Sequence, residues 1–384
     1  MSRESQVTTA LAAADSPIWL DSAAQVARAA KAWRRSRTLG VDTEFVRERT
    51  YYANLGLVQI SDGQTVWLLD PLVEGALPPL AEMLADPAIV KILHSPSEDL
   101  EVLQHVAGAL PEPLVDSQLA CAMLGEPLQL GYHLAVEKQF GIVVDKGLTR
   151  SDWMARPLRA ELLRYAALDV CLLPMMEDEL RQRLRALERE AWLEEDCARL
   201  VAAARQPLAP SLAWQRIRGI ERLDGAALAV LKPLAAWREK EAKHKNRPRG
   251  FIITDPVLLA LARRKPRRPA ELEEFSDWHP RARARYGVAI TELIANAVES
   301  GKTLPPIPQL DRAQQALARL LRDGVAAIAE GLGLDPALLA TRKELEQLVL
   351  AGPGKPLPER LQGWRRAVVG EPLQAMLEAQ PNQA

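Results

Sequence analysis

Cysteine is scarce in this chain: Cys121, Cys171 and Cys197 are the three thiols among 384 residues. Three cysteines so far apart exclude a disulfide framework and the closely spaced pairs of a structural zinc site. Long apolar runs are missing as well, and the first sixteen residues lack the apolar core of a secretory signal. From these absences we expect a soluble, cytoplasmic protein that does not enter the membrane.

Net charge is also nearly absent, at −1, but the two signs are unevenly distributed. Residues 205–285 carry 19 Lys or Arg against 9 Asp or Glu, a local net charge of +10, so the rest of the chain is acidic. An acidic part beside a basic part is typical of a metal-binding centre next to a module that holds a polyanion. The length and a hydrophobic content of 48% favour two or three domains.

Two carboxylates lie one residue apart, Asp42 and Glu44, in the apolar run of residues 39–45. In a strand, residues i and i+2 point to the same face, so these two anions should project side by side. Their repulsion is relieved if a cation lies between them, and hard oxygen ligands favour magnesium or manganese over zinc. Residues 39–45 could instead form an edge strand whose acids face water.

Further acids follow at the ends of predicted elements. Strands predicted at 55–61 and 66–70, joined by the tight-turn dipeptide Asp62-Gly63, should form a meander with the first strand. A further strand predicted at 90–94 leads into Ser95-Pro96-Ser97-Glu98-Asp99. That segment predicts a helix with Ser95 as N-cap and Glu98 in a capping box, which places Asp99 in the first helical turn. Asp99 could serve there as a ligand or interact with the helix dipole.

A long helical pattern after Pro157 contains Tyr165 and Asp169, four residues apart and therefore on one face. With Asp42, Glu44 and Asp99 they form a set of four acids and one tyrosine. Four carboxylates can hold two divalent ions about 4 Å apart, the arrangement that hydrolyses phosphodiesters, and a tyrosine can orient or help to deprotonate the attacking water.

These motifs resemble those of the DEDD exonuclease superfamily, in its tyrosine subclass. The runs 148–153, 155–158 and 165–170 resemble the bacterial ribonuclease D family more closely, and the C-terminal half resembles HRDC (helicase and RNase D C-terminal) domains. The resemblance implies an α/β fold, an RNase H-like exonuclease domain with a mixed sheet, followed by two all-α HRDC-type domains. We predict the exonuclease domain at 1–203, a basic HRDC-like domain at 204–300 and a degenerate one at 301–384.

The same resemblance implies a 3′–5′ exoribonuclease that trims the 3′ ends of precursor tRNA by a two-metal mechanism and releases 5′-nucleoside monophosphates. Its two divalent cations, Mg²⁺ or Mn²⁺, would be held by Asp42, Glu44, Asp99 and Asp169, and Tyr165 would position the water.

The two helical domains share the sequence Asp-Pro-x-Leu-Leu-Ala, at 255–260 and 335–340, which suggests two copies of one module.

Side chains around this site and on the basic domain are predicted to contact substrate. They are Thr43, Phe45, Gln59, His94, Arg150, Trp153, Lys243, Lys245, Arg247 and Arg249. Trp153 could instead anchor the core, His94 could be a hydrogen-bonded structural residue, and the basic run could be a solvated helix face. Because the basic domain has few aromatic residues, we expect phosphate contacts there rather than base stacking.

Two other activities are compatible with the same chain: a non-catalytic RNA-binding or assembly protein, and a single-strand DNA exonuclease. The presence of all four acids and the tyrosine favours the exoribonuclease. We expect RNA as the partner, a monomeric chain and no use of ATP, since the segment Ser300-Gly301-Lys302-Thr303 has Asn296 where a phosphate loop requires its first glycine.

Overall fold

The computed structural model describes residues 2–144 and 151–379. Its contacts divide the chain into two compact units. Unit 1 comprises residues 1–46, 54–205 and 310–384, and unit 2 comprises residues 47–53 and 206–309. None of the helices within the described ranges is long and apolar enough to cross a membrane.

Unit 1 contains a six-stranded mixed sheet with the strand order β1-β4-β3-β2-β5-β6. The strands are β1 (Ile18–Leu20), β2 (Thr38–Val46), β3 (Asn54–Ser61), β4 (Val66–Leu69), β5 (Val90–Leu93) and β6 (Leu114–Asp116). β2, β3 and β4 form an antiparallel meander, as predicted, and the other three pairings are parallel. Helices pack against this sheet, which confirms the predicted mixed α/β architecture.

Nine helices of unit 1 come before residue 206 in the described ranges. They are α1 (Arg3–Asp15), α2 (Ala23–Trp33), α3 (Leu77–Ala85), α4 (Ser97–Val106), α5 (Ser117–Met123), α6 (Tyr132–Phe140), α7 (Ala160–Cys171), α8 (Leu173–Ala186) and α9 (Glu190–Arg205). α7 packs against β2, β3 and β4, and α8 packs against β2 and β5. α1 lies in a segment for which the sequence predicted no helix or strand.

The predicted capping box before α4 is wrong. Ser95 has a φ of 58°, in the left-handed region, and its N–H donates to Asp116 Oδ1 at 3.0 Å. The helix therefore begins at Ser97, with Pro96 as an N-cap that makes no side-chain hydrogen bond. Asp99 nevertheless lies in the first turn, as predicted, because the start moved by a single residue.

Unit 2 is all helical apart from its connecting segments. Its helices are α10 (Gly225–His244), α11 (Arg249–Ile252), α12 (Asp255–Arg264) and α13 (Pro280–Glu299). They enclose a core of their own, and Tyr51, from the connection between β2 and β3, packs against it. The sequence had suggested no link between residues 47–53 and the helical module.

The C-terminal residues form α14 (Arg312–Leu332), α15 (Pro336–Leu339), α16 (Arg342–Ala351) and α17 (Glu371–Glu378). Helix lengths of 21, 4 and 10 residues repeat the 20, 4 and 10 of α10 to α12. The proposed alignment of 255–260 with 335–340 is wrong, because the first segment begins α12 and the second forms α15. Helix order therefore supports a repeated module where that sequence match does not.

The C-terminal helices belong to unit 1, and the segment between α16 and α17 contacts α9. Arg365 donates two hydrogen bonds of 2.7 Å to the carboxylate of Asp196, and both side chains are buried. Trp364 stacks on Trp192 with ring centroids 4.3 Å apart. The predicted boundaries of three domains stay predictions, but residues 310–379 share a compact unit with the sheet.

Candidate active site

β2 presents its two acids to the face of the sheet that α7 and α8 cover. Asp42 pairs with Gln59 and Glu44 with Leu57 in the antiparallel register with β3. Gly40 lies on the same face, and a Cβ atom there would come within 2.8 Å of Leu173 Cβ and the Val170 carbonyl. Only glycine permits this close approach, which brings the end of α7 against the strand.

α7 supplies the third acid of the group. Oxygen atoms of Asp42, Glu44 and Asp169 all lie within 4.8 Å of one another. Tyr165 lies one turn before Asp169 on the helix, and its hydroxyl is close enough to lower the pKa of that carboxylate. The predicted i, i+4 pair and the predicted strand pair therefore meet in one place.

Asp99 lies beside this group but not within it. Its carboxylate accepts a hydrogen bond from the Thr43 hydroxyl and is buried. Thr43 is the residue between Asp42 and Glu44, and so it points to the opposite face of β2. The charge of Asp99 still reaches the group, because it contributes to the raised pKa of both Asp42 and Glu44.

Burial and crowding make these acids resist ionisation. Burial is the largest cause at each position, and it raises the pKa of Glu44 to about 8 and that of Asp169 to about 7. The pKa of Asp42 is raised well above its usual range by burial and by the charges of Asp99, Asp169 and Glu44. Burial also raises the pKa of Asp99 to about 6, although the Thr43 hydrogen bond opposes the shift.

This electrostatic pattern fits a divalent cation. Three ionised carboxylates within 4.8 Å repel one another, and a positive ion between them would lower every one of these pKa values. The donor atoms are all oxygen, which suits a hard cation such as Mg²⁺ better than a thiolate-seeking one. The residues present therefore fit the cation that the sequence predicts.

The raised pKa values predict an inverse pH dependence of stability for the metal-free protein. The folded state holds protons on Glu44 and Asp169 that the unfolded chain releases near pH 4, so stability is lost as pH rises from about 4 towards 8. Each pKa unit corresponds to about 1.4 kcal/mol. Calorimetry in EDTA should show a lower melting temperature at pH 8 than at pH 5.5.

A divalent cation should reverse that loss. Adding Mg²⁺ or Mn²⁺ at pH 8 should raise the melting temperature, because the cation binds the folded ionised group and not the unfolded chain. Asp42→Asn removes one charge from the group and should flatten the metal-free pH profile. A wild-type melting temperature that rises from pH 5.5 to pH 8 in EDTA would contradict this electrostatic account.

Three of the predicted substrate contacts are side chains with almost no exposed surface. Thr43 is 6%, Gln59 0% and Trp153 2% exposed. Trp153 packs near Tyr165, with ring centroids 6.3 Å apart, and an added Cβ at Gly56 would come within 2.5 Å of its carbonyl oxygen. The structure thus favours the alternative in which Trp153 anchors the core, because its ring has no open face on which a base could stack.

Gln59 is the cross-strand neighbour of Asp42, and both atoms of its amide are buried without a protein partner among the described residues. A buried amide without partners is costly, so this side chain is suited to hydrogen bonds with groups that bind at the acids. Phe45 is half-buried, next to the register shift that follows Glu44. Both contacts stay predictions.

Both ring nitrogens of His94 contact other residues of the protein. Its Nδ1 lies 2.8 Å from Ser117 Oγ and its Nε2 lies 2.8 Å from the carbonyl oxygen of Leu130. Burial lowers the pKa of the imidazole to about 4, so the ring is neutral at physiological pH. These bonds support the structural alternative for His94 rather than a substrate contact.

The basic contacts of unit 2 differ among themselves. Arg249 forms an ion pair of 2.6 Å with Glu239 and donates to the Tyr51 hydroxyl, so it stabilises the unit. Lys243 lies over the Tyr51 ring, 5.8 Å from its centroid. Lys245 and Arg247 are exposed. The remaining predicted contact, Arg150, lies outside the described residues.

Sequence reasoning overlooked two residues near the site. Arg156 bonds both oxygens of Asp70 at 2.6 and 2.7 Å and the Gly56 carbonyl at 2.7 Å, which ties the segment containing Trp153 to the sheet. Tyr132 directs its hydroxyl at the helix that carries Asp169. The run of residues 155–158 had been noted for its resemblance alone, whereas nothing in the sequence around Tyr132 pointed to the site.

Comparisons with known proteins agree with this geometry. A family model described as 3′–5′ exonuclease matches residues 17–185, and an HRDC domain model matches residues 227–294. Together with the acid group, these matches define the class of the protein as a 3′–5′ exonuclease that uses divalent metal ions and carries a helical HRDC domain.

The more specific assignment comes from full-length relatives. Ribonuclease D of Pseudomonas paraeruginosa (strain DSM 24068 / PA7) is 41% identical over 370 residues, covering 94% of this chain and 97% of that protein. Ribonuclease D of Escherichia coli (strain K12) is 33% identical over 365 residues, covering 91% and 96%. This chain belongs to the ribonuclease D family of exoribonucleases.

The same family is found by structure. The crystal structure of Escherichia coli RNase D, described as an exoribonuclease involved in structured RNA processing, matches with a TM-score of 0.87 and 31% sequence identity. The match covers 95% of this chain and 99% of that one. It confirms both the predicted fold class and the resemblance on which the prediction rested.

Proposed function

We propose that this exoribonuclease trims the 3′ ends of precursor tRNA in the cytoplasm, as a monomer, and releases 5′-nucleoside monophosphates by a two-metal mechanism with Mg²⁺ or Mn²⁺. The convergence of Asp42, Glu44 and Asp169 within 4.8 Å, with Tyr165 one helical turn before Asp169, is the observation that carries the proposal. The relative from Escherichia coli, described as acting in structured RNA processing, supports the choice of substrate.

The residues of the site would have different roles in the reaction. Asp42, Glu44 and Asp169 would hold the ions directly, and Asp99, placed by Thr43, would complete the set from the other side of β2. When bound, the ions supply an activated water and charge stabilisation at the phosphate. Burial, and then the charges of Asp169 and Glu44, raise the pKa of Tyr165, so its hydroxyl keeps its proton. Tyr165 is therefore suited to orient the water through its hydroxyl, not to remove its proton.

Substrate choice can be tested with three oligomers whose 3′ tails have the same length and base sequence. The first is a 5′-labelled tRNA with a 3′ extension, the second is the tail alone, and the third is the tRNA body with a DNA tail. With Mg²⁺ or Mn²⁺, the first should shorten stepwise from its 3′ end to mature length, and EDTA should stop it. Chromatography should identify the products as 5′-monophosphates.

A different experimental result would contradict each part of the proposal. Equal kcat/KM for the DNA tail would show that the ribose 2′-hydroxyl is not read. Equal kcat/KM for the isolated tail would remove the tRNA body from recognition. Sedimentation at low and high protein concentration tests the monomer, since a concentration-dependent mass would indicate a dimer.

The exposed cations of unit 2 are expected to bind RNA phosphates. Lys245→Gln with Arg247→Gln should weaken RNA binding and lower the slope of log K against log salt by about 0.7 for each single-strand phosphate that is no longer neutralised. Fluorescence anisotropy at several salt concentrations measures this change. Lys343→Gln with Lys355→Gln, both exposed in unit 1, removes the same charge and serves as the control.

Comparison with the control variant shows whether the loss of binding is specific to unit 2. If both double variants lower the slope equally, unit 2 has no special part in binding. Arg249→Gln is a different case, because it leaves the buried carboxylate of Glu239 without its arginine and should destabilise unit 2. Weaker binding in that variant would therefore not count as evidence that Arg249 touches RNA.

A further inference from the structure

The Tyr132 hydroxyl lies at the junction of α7 and α8, close to the acid group. Tyr132 is the first residue of α6, and its hydroxyl donates to the Leu168 carbonyl at 3.1 Å. The Leu172 N–H donates to the Val170 carbonyl. In a continuous helix the carbonyl of residue 168 would bond the N–H of residue 172 directly. The Leu168 carbonyl therefore lacks its usual helical donor, and the tyrosine hydroxyl supplies a hydrogen bond to it.

The backbone around this junction explains why the gap exists. α7 ends at Cys171 and α8 begins at Leu173. Pro174 has no N–H to donate to the Val170 carbonyl and its ring clashes with that carbonyl, so an uninterrupted helix is excluded here, and the Val170 carbonyl accepts from the Leu172 N–H instead. A polar side chain inserted into the helical hydrogen-bond ladder is a known cause of such breaks. Without the tyrosine hydroxyl, the half-buried Leu168 carbonyl would keep the weaker hydrogen bond from the Cys171 thiol, 3.7 Å away.

The junction between α7 and α8 lies next to Asp169, one of the acids of the group. Leu168 immediately precedes Asp169, so the bond to the Leu168 carbonyl restrains the turn from which the Asp169 side chain projects. The hydroxyl is close enough to the acids for the charges of Asp169 and Asp42 to act on it. Burial is the larger cause of its raised pKa, and so the hydroxyl stays protonated and able to donate.

The ring of Tyr132 is itself held in place. It meets the His94 ring edge to face, with centroids 5.7 Å apart. His94 is fixed by contacts of 2.8 Å to Ser117 Oγ and to the Leu130 carbonyl, two residues before Tyr132. A side chain so restrained is a rigid support for the turn that it touches.

We propose that Tyr132 is a positioning residue for Asp169: its hydroxyl holds the last turn of α7 at the Leu168 carbonyl, so that the Asp169 carboxylate stays within the cation-binding group. The inference rests on the proposed role of Asp169 as a metal ligand. Tyr132 itself touches neither the substrate nor the ions. Partners of this kind, which support a ligand from behind, typically contribute about 10- to 100-fold to metal affinity or activity.

Tyr132→Phe removes the hydroxyl and keeps the ring. Mn²⁺ binding, measured without RNA by titration calorimetry and by electron paramagnetic resonance of free Mn²⁺, should weaken about 10-fold. At fixed Mn²⁺ the kcat for RNA should fall about 10- to 100-fold and recover partly at higher Mn²⁺, whereas KM for RNA should stay within about twofold. Tyr286→Phe, the same atomic change in unit 2, is the matched control and should leave Mn²⁺ affinity unchanged.

A double-mutant cycle with Asp169→Asn distinguishes positioning from general damage to the fold. If Tyr132 acts through Asp169, removing its hydroxyl should add almost nothing in the Asp169→Asn background. Additive losses in the cycle, or wild-type Mn²⁺ affinity in Tyr132→Phe, would overturn the inference. Failure of the proposed function looks different, because Asp169→Asn alone would then bind Mn²⁺ as tightly as the wild type.

Discussion

Asp42→Asn is expected to lower kcat for RNA hydrolysis by about 10³-fold or more, with a small change in KM. Asp42 lies at the centre of the acid group, with Glu44 and Asp169 as neighbours within 4.8 Å. Replacing its carboxylate by an amide removes a charge that the cations need, and cations contribute several kcal/mol of charge stabilisation in such reactions. Because about 1.4 kcal/mol is a factor of ten, a decrease of this size follows. Single-turnover hydrolysis of labelled RNA measures it.

The amide is nearly isosteric with the carboxylate, so folding is not expected to suffer. In metal-free buffer at pH 8 the Asn variant should be at least as stable as the wild type, since it carries less repulsion within the group. Glu98→Gln is the matched control: Glu98 is exposed in the first turn of α4, one residue before Asp99. An Asp42→Asn enzyme within tenfold of the wild-type kcat would refute the assignment of this group as the catalytic centre.

Asp196→Ala is expected to lower the free energy of unfolding of unit 1 by about 3–5 kcal/mol. The substitution leaves the buried Arg365 guanidinium without its two 2.7 Å partners and removes the acceptor of the Trp364 indole N–H. The charge that remains cannot reach water, because Arg365 is 2% exposed. Urea denaturation followed by circular dichroism measures the change, and the melting temperature should fall by roughly 10 °C.

Two further variants separate the ion pair from its surroundings. Arg366→Ala breaks an exposed pair with Glu371 next to Arg365, and such pairs contribute about 0–1 kcal/mol. The double variant Asp196→Leu with Arg365→Met should recover most of the stability, because no buried charge then lacks a partner. A decrease below about 1 kcal/mol in Asp196→Ala would show that the C-terminal helices are not held to α9 by this pair.

Local periodicity determined the parts of this protein that its sequence alone predicts. Alternation along a strand places Asp42 beside Glu44, and the helical repeat places Tyr165 beside Asp169, whatever the rest of the chain does. The Asp62-Gly63 turn and the antiparallel meander are local in the same way. The resemblance to the ribonuclease D family rested on these short motifs, and the family matches confirmed it.

Tertiary structure decided everything that depends on residues far apart in sequence. It placed Asp99 beside the acid group and not within it, because Thr43 on the opposite face of β2 holds that carboxylate. It buried Gln59 and Trp153, which the sequence had offered as substrate contacts, and it brought Tyr132 to the helix carrying Asp169. Burial and side-chain partners depend on packing between distant elements, and sequence periodicity carries no information about which elements meet.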